Sequence, residues 1–273
     1  MSYETKRPPI AVILAANTGF GLSLNTEAGA KSLLSVGGTV ILERVIRNCL
    51  SCGISQFVLV LGHKADDIKK FVDKTFRGIR VTYVLNERYN TTNTGYSLML
   101  AAPAIGMADF IKLDANVVFD TKILRRLMDS YQPNALCIDR NIMPAGDGVK
   151  VTIDEDMHVT HIGGVLNSEN AVGGLIGIEK ISSKTGKILF SELEKMLDDP
   201  SHIQDHCDAA YGILIDKGTD FYALDITGLD WTEVDNEEDF ATANALFTRP
   251  FMTMSRGQQK ALDDAKDRGV TPI

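Results

Sequence analysis

A chain of 273 residues is long enough for one large α/β domain or two small ones, and 44% hydrophobic with 23% charged residues is ordinary globular composition. A formal net charge of −8 argues against broad nucleic-acid binding, which needs a basic surface to displace counterions, and leaves any anionic substrate to a local cluster of cations or backbone N–H groups. No run approaches the roughly 20 apolar residues of a membrane span, and the first apolar run stops at Asn17 and Thr18, too short for a secretory signal, so the expectation is a cytoplasmic protein with reduced cysteines.

The first half alternates strand and helix. Residues 10–16 (IAVILAA) are a fully apolar run suited to a buried parallel strand. Residues 39–53 place Ile41, Leu42, Val45, Ile46, Cys49 and Leu50 at a helical period closed by Gly53. A second buried strand (56–62) and a helix (64–76) follow, then a third strand (80–86), the loop ERYNTTNTG, a helix (96–105) and a fourth strand, DFIKLDANVVF (109–119). Repeated βα units predict a mainly parallel sheet with helices on both faces and ligands at the carboxyl ends of its strands.

From about Ala135 the pattern changes to strands joined by tight turns (135–141, 148–166, 171–181), then helices over 186–199 and around 206–218. Strand pieces at 221–227 and 231–235 precede a capped amphipathic helix over 236–247. The organisation expected is an N-terminal extension (1–9), one domain (10–247) and a polar tail (248–273) forming a peripheral helix. Cys49 and Cys52 form a C-x-x-C without a second pair or a redox loop, which reads as buried thiols. His202 and His206 stand at i, i+4, a spacing open to a metal pair; without the glutamate of H-E-x-x-H or a third ligand, a helix-surface pair is the better reading.

The first strand runs into Asn17-Thr18-Gly19-Phe20-Gly21, and Lys31 follows twelve residues after Gly19. Glycines there let backbone N–H groups approach phosphate. A nicotinamide-binding reading fails, because no G-x-G-x-x-G occurs and the second strand ends in Gly62-His63 rather than a ribose-binding acid. No P-loop sequence occurs either. Asn86, Asn93 and Ser97 supply amides and a hydroxyl near the third strand's end, suited to reading a pyrimidine edge, although such residues are also common in loops. Trp231, the single tryptophan, offers a face for an ammonium group or a side chain for the core.

In this order the segments LAANTGFG, AKSLLSVGG, ILERVIRNCLSCGISQFVLVLGHKADDI, VLNERYNTTNTGYSLMLA and DITGLDWTEVDNEEDFATANALF resemble the nucleotidyltransferases that make nucleotide-activated small molecules. Within them the chain is most similar to the cytidylyltransferases for phosphocholine, 2-aminoethylphosphonate and inositol phosphate. The similarity covers residues 10–247. It implies a Rossmann-like mixed sheet of the nucleotide-diphospho-sugar transferase type. It also implies attack of a phosphate or phosphonate oxygen on the α-phosphorus of a nucleoside triphosphate, CTP above all, with release of pyrophosphate.

The resemblance carries roles onto particular residues. Ala15, Ala16, Asn17, Thr18 and Gly19 become the nucleotide-binding loop and Lys31 its phosphate-facing lysine, with Lys150 a second catalytic cation. Mg²⁺ would lie on Asp235 and on the residue before VVF, which is Asn116, with Asp114 two positions earlier on the same strand face as a substitute charge. Trp231 and Glu233 would meet the acceptor. The chain departs from the pattern at Gly21 (an arginine), Ala30 (a proline), Asn116 (an aspartate), Gly164 (a lysine) and Gly174 (an acid). Two readings therefore stand: a working Mg²⁺-dependent cytidylyltransferase, or a pseudoenzyme of the same fold that binds nucleotide or a protein partner.

Overall fold

The computed structural model describes residues 7–17, 30–142, 148–164 and 170–248. The expected contributions of Thr18 and Gly19, and of the tail beyond Thr248, lie outside these residues. The main sheet begins with four parallel strands: β1 (Ile10–Ala15), β4 (Gln56–Leu61), β5 (Arg80–Leu85) and β6 (Phe110–Asp114), side by side in the order β5-β4-β1-β6. On the far side of β6 lies β11 (Gly173–Ile181), antiparallel to it; β11 also pairs with β8 (Ala135–Asp139) and β9 (Lys150–Ile153). Beyond these, β10 (Val159–Gly163) pairs with β9 and β12 (Tyr222–Asp225) with β8, completing nine strands. Two small ribbons stand apart: β2 (Ser35–Val36) with β3 (Thr39–Val40), and β7 (Val117–Phe119) with β13 (Trp231–Glu233).

Helices cover both faces, as continuous apolar strands demand. On β1, Ala11, Ile13 and Ala15 face one core while Val12 and Leu14 face the other. The first core is closed by α1 (Ile41–Ser51), α2 (Ala65–Thr75), α4 (Thr121–Asp129) and α7 (Glu237–Leu246). The second is closed by α3 (Thr94–Ile105), α5 (Ser183–Leu197) and α6 (Cys207–Asp216). In α1 the residues Ile41, Leu42, Val45, Ile46 and Cys49 are fully buried, and the expected thiol burial holds for Cys49 while Cys52 is half-buried. Side-chain caps mark several helix starts: Asn93 for α3, Asp120 for α4, Ser182 for α5, and an Asn236/Asp239 capping box for α7.

The chain runs β1, β4, β5 outward and then returns to place β6 on the other side of β1. In sheets of this kind ligands usually bind at such a reversal, beside the carboxyl ends of the strands that flank it, here β1 and β6.

Three features differ from the sequence reading. The fourth strand is two strands, because the chain turns at Ala115-Asn116 between β6 and β7. Helix α4 was not anticipated; its nine residues bury only Ile123, Leu124 and Leu127 among lysine and arginines, too few for a clear period. His202 and His206 share no helix face: His202 ends a 3₁₀ turn and His206 caps α6. His202 Nδ1 lies 2.6 Å from Asp205 and His206 Nε2 2.8 Å from Asn93 Nδ2, so the histidines point to separate partners rather than to a shared metal. Among the described residues, no helix is long and apolar enough to cross a membrane.

Candidate active site

Four polar side chains from three distant parts of the sequence converge beside the β6 turn. Lys31 opens a 3₁₀ turn (Lys31–Leu33), and its Nζ lies 2.7 Å from Asp235 Oδ1, 204 residues away. Asn116 sits in the turn that separates β6 from β7. Its Nδ2 donates to Asp235 Oδ1 and to Glu233 Oε1, each at 2.9 Å, so one amide joins two carboxylates.

The local backbone explains the convergence. Leaving the main sheet, β7 pairs with β13 in the register Val117↔Glu233, and the Asn116 carbonyl accepts from Val234 N at 3.0 Å. Val234 is fully buried and anchors the segment. Asp239, in the first turn of α7, accepts from Asp235 N at 2.9 Å, fixing the chain just beyond β13.

The electrostatics are those of a cation-seeking site. Enclosed by protein on its inner side and repelled by Asp235 and Asp114, the Glu233 carboxyl is pushed up to about 7, against the opposing bond from Asn116. The Lys31–Asp235 pair is open on the Asp235 side, where 49% of the side chain remains exposed against 16% for Lys31. An ion pair exposed on one side adds only about 0–1 kcal/mol to stability.

Asp114 is paired with a lysine that the sequence reading did not include. The turn at Ala115 sends Asn116 toward β13, while Asp114 Oδ2 accepts from Lys112 Nζ at 2.6 Å. No described hydrogen bond ties Asp114 to Asn116 or Asp235, but its charge lies near enough to Glu233 to raise that carboxyl's pKa. Lys112 in turn lies 3.3 Å from Glu179 Oε2 on β11. Burial works against the Lys112 charge, but Asp114 and Glu179 hold its pKa well above the ordinary lysine value. Burial pushes Glu179 up to about 8, with Lys112 pulling the other way. The bulge in β11 between Leu175 and Glu179 contains Gly177 at φ +77°, and a Cβ there would collide with Asp114 Oδ2.

The other expected site residues separate into several groups. Ala15 and Ala16 are buried at the end of β1 and Asn17 is exposed beyond them. The Ala16 carbonyl accepts from His63 N at 3.0 Å. Asn86 and Ser97 are both buried. Asn86 Nδ2 donates to Ser97 Oγ at 3.1 Å and Thr92 Oγ1 at 3.0 Å, and its Oδ1 accepts from Arg88 N at 2.9 Å. These bonds tie the end of β5 to the loop and first turn of α3. Asn93 caps α3 through Oδ1 and meets His206 through Nδ2.

Lys150, on β9 opposite Gly174 of β11, donates to the Gly164 carbonyl at 3.2 Å. Trp231 donates its indole N–H to the buried Asp139 at 2.8 Å and packs against the core, so its polar edge faces inward. No described contact joins Lys150 or Trp231 to Lys31, although Trp231 and Glu233 occupy alternate positions of β13. Sequence reasoning missed Lys112, Glu179 and Gly177. The signal was a charge at an inward position of an apolar run, as in FIKLD and LIGIEKI.

The donor set fits Mg²⁺. That ion binds through one or two carboxylates and retains several waters and substrate oxygens. Glu233 and Asp235 provide two carboxylates already drawn together by one amide, with Glu233 held against ionisation by burial and by the charges of Asp235 and Asp114. Among the described residues, no group of three or more His, Cys, Asp or Glu side chains is placed to enclose a metal by itself.

A family model described as a domain of unknown function (DUF6564) matches residues 37–165. The chain is 27% identical over 265 residues, 94% of its length, to the CMP-5'-(3-aminopropyl)phosphonate synthase of Streptomyces rubellomurinus, of which it covers 41%. It is 32% identical over 113 residues, 41% of its length, to the choline-phosphate cytidylyltransferase of Haemophilus influenzae, of which that stretch covers 46%. The chain thus spans less than half the length of either relative. The structure of the inositol-1-phosphate CTP transferase from T. maritima superposes with a TM-score of 0.72 at 18% identity, covering 96% of this chain and 98% of that one. In sequence the chain is similar to nucleotidyltransferases, and its mixed, mainly parallel sheet flanked by helices is their fold.

Proposed function

We propose that the chain is a Mg²⁺-dependent cytidylyltransferase that moves CMP from CTP to a small phosphate or phosphonate acceptor. The observation that carries this reading is the convergence of Lys31, Asn116, Glu233 and Asp235 beside the carboxyl end of β6. The names of the similar proteins favour cytidylyl transfer and a small acceptor.

In the proposed reaction an acceptor oxygen bonds to the α-phosphorus while the bond to the oxygen bridging toward the β-phosphorus breaks, and pyrophosphate leaves with that electron pair. Such a reaction needs positioning and charge neutralisation rather than covalent catalysis. Lys31 meets triphosphate oxygens, and Lys150 adds a second cation beyond the end of β6. Glu233 and Asp235 would hold the metal, with Asn116 keeping the two carboxylates in register; the chemistry such a metal would supply is neutralisation of charge on the reacting phosphate. Asn86 and Ser97 act indirectly, by shaping the loop that leads to α3.

A second reading, a protein that binds nucleotide without transferring it, is favoured by one feature. Asn116 supplies a neutral amide where the nucleotidyltransferase pattern has an acid.

Thermal shift with CTP, UTP, ATP and GTP, each with and without Mg²⁺, followed by pyrophosphate release with phosphocholine or 2-aminoethylphosphonate, separates these readings. The expected result is a shift for CTP with Mg²⁺, where a ligand at one hundred times its Kd adds about 2.7 kcal/mol, together with pyrophosphate release that Asp235→Asn abolishes. A shift without release from either acceptor supports the second reading. No shift with any nucleotide overturns both.

A further inference from the structure

Lys31 has two prospective uses that exclude each other. Its ammonium group is 2.7 Å from Asp235 Oδ1, the oxygen that also accepts from Asn116 Nδ2 at 2.9 Å. A divalent ion on the Asp235 carboxylate would sit close to that ammonium, and two cations sharing one carboxylate in a partly buried site repel strongly. Conversely, a lysine paired to Asp235 is less available to a phosphate.

We propose that Lys31 is an exchangeable internal counter-ion: it neutralises Asp235 until a divalent cation arrives, and the cation's arrival releases it to grip the triphosphate. Cation and triphosphate binding are then positively coupled through one side chain. This rests on the cation-site reading of Glu233 and Asp235 and goes beyond it, because it gives Lys31 opposite effects on the two ligands. For the bare cation Lys31 is a competitor; for the phosphate chain it is a partner.

Three features support exchange. The pair is solvent-accessible at Asp235, so a hydrated ion reaches the carboxylate without unfolding the site. Asn116 continues to hold both carboxylates when Lys31 leaves, since its Nδ2 bonds to Glu233 and Asp235 are independent of the lysine. Lys31 also lies one residue after the buried Ala30, at the start of a 3₁₀ turn whose backbone bonds, Leu33 N to Ala30 O and Leu34 N to Lys31 O, do not involve its side chain. The ammonium group can swing while the backbone stays fixed.

The test measures Mn²⁺ and inorganic tripolyphosphate binding to the full chain by calorimetry, each alone and in the presence of the other. In the wild type, each ligand tightens the other by the same factor, as linkage requires, by about fivefold or more. Lys31→Met is expected to bind Mn²⁺ alone about five- to tenfold more tightly than the wild type, to bind tripolyphosphate more weakly, and to show a smaller coupling, limited to direct contact between cation and phosphate.

Lys31→Gln, which keeps a donor to Asp235 but not the charge, should shift Mn²⁺ affinity in the same direction and serves if the methionine variant does not fold. Lys122→Met, at a side chain 70% exposed and paired with Asp120, makes the same change in net charge and should leave Mn²⁺ affinity unchanged. Unchanged or weaker Mn²⁺ binding by both Lys31 variants overturns the exchange. So does equal tightening by Lys122→Met, which would assign the effect to net charge. Asp235→Asn tests the underlying reading separately: Mn²⁺ binding that survives it places the cation elsewhere and removes the basis for exchange. Its loss, with no tightening in the Lys31 variants, refutes the exchange alone.

Discussion

Asn116 is where this chain's chemistry departs most from the pattern it resembles, and the structure shows what the departure does. A carboxylate at this position would face Glu233 and Asp235 as a third negative charge, whereas the amide donates to both at 2.9 Å and holds them together without a metal. On the proposed cation site, Asn116 would therefore exchange cation affinity for cohesion of the two carboxylates. Asn116→Asp should reverse the bargain. In the absence of a divalent ion the variant loses two donated bonds and gains repulsion, for a loss of about 1–3 kcal/mol. With saturating Mg²⁺ its melting temperature should rise by more than that of the wild type, because a hard cation prefers a charged oxygen to a neutral one. Thermal melts of both proteins across a Mg²⁺ titration check this. A variant that melts below the wild type by the same margin at every Mg²⁺ concentration would show that position 116 does not face the cation.

At the level of elements, the site depends on two irregularities in otherwise regular strands: the break between β6 and β7 and the bulge at Gly177. The bulge lets β11 pass Asp114 while remaining paired to both β6 and β8. Gly177→Ala should cost stability twice, through a side chain forced into φ +77° and through collision with the Asp114 carboxylate. Gly218→Ala isolates the first effect, because Gly218 has φ +84° with open space where a Cβ would go. Urea unfolding should show Gly177→Ala losing more than Gly218→Ala, with the backbone share of each about 1–3 kcal/mol; equal losses would mean that Asp114 moves aside freely. These irregularities also mark the limit of what was legible in the sequence. Long apolar runs gave β1 and β4, and the helical spacing of Ile41, Leu42, Val45, Ile46 and Cys49 gave α1, because burial on two faces or one stripe leaves a trace in the sequence. Lys31 and Asp235 were singled out by resemblance, and they meet in the fold. The turn inside DFIKLDANVVF left no such trace: Val117, Val118 and Phe119 are as buried and apolar as a continuing strand, and only pairing with the distant β13 shows that they have left the main sheet. The burial of Asn86 and Ser97 was illegible for a related reason, since a polar side chain in a loop sequence carries no sign of which protein groups it will meet.

Across the whole molecule, the two cores lie on opposite faces of one sheet, and the charged group Lys112, Asp114 and Glu179 penetrates the core that α3, α5 and α6 cover. It sits where the parallel strands meet the antiparallel half, at the β6–β11 pairing. Glu179 is fully buried, its oxygens accept no well-formed hydrogen bond among the described residues, and one lysine serves both it and Asp114. Burial consequently raises the Glu179 carboxyl to about 8 from an ordinary 4.5. A carboxyl raised on folding binds more protons in the native than in the unfolded chain between those two values, so its contribution to stability declines as pH rises from about 4.5 through about 8 and then levels off. The slope cannot exceed about 1.4 kcal/mol per pH unit for a single proton. Other carboxyls in the molecule also titrate over this range, so the informative quantity is the difference between the wild type and Glu179→Gln, whose neutral amide removes this one proton. Urea unfolding at intervals from pH 5 to pH 9 should show the variant gaining on the wild type steadily up to about pH 8 and running parallel above it. Parallel stability curves across the whole range would mean that Glu179 is ionised throughout, paired to Lys112 as a full salt bridge. In that case Lys112 is shared between two charges, and Lys112→Met should be the more damaging change, costing about 3–5 kcal/mol by leaving both carboxylates without a cation.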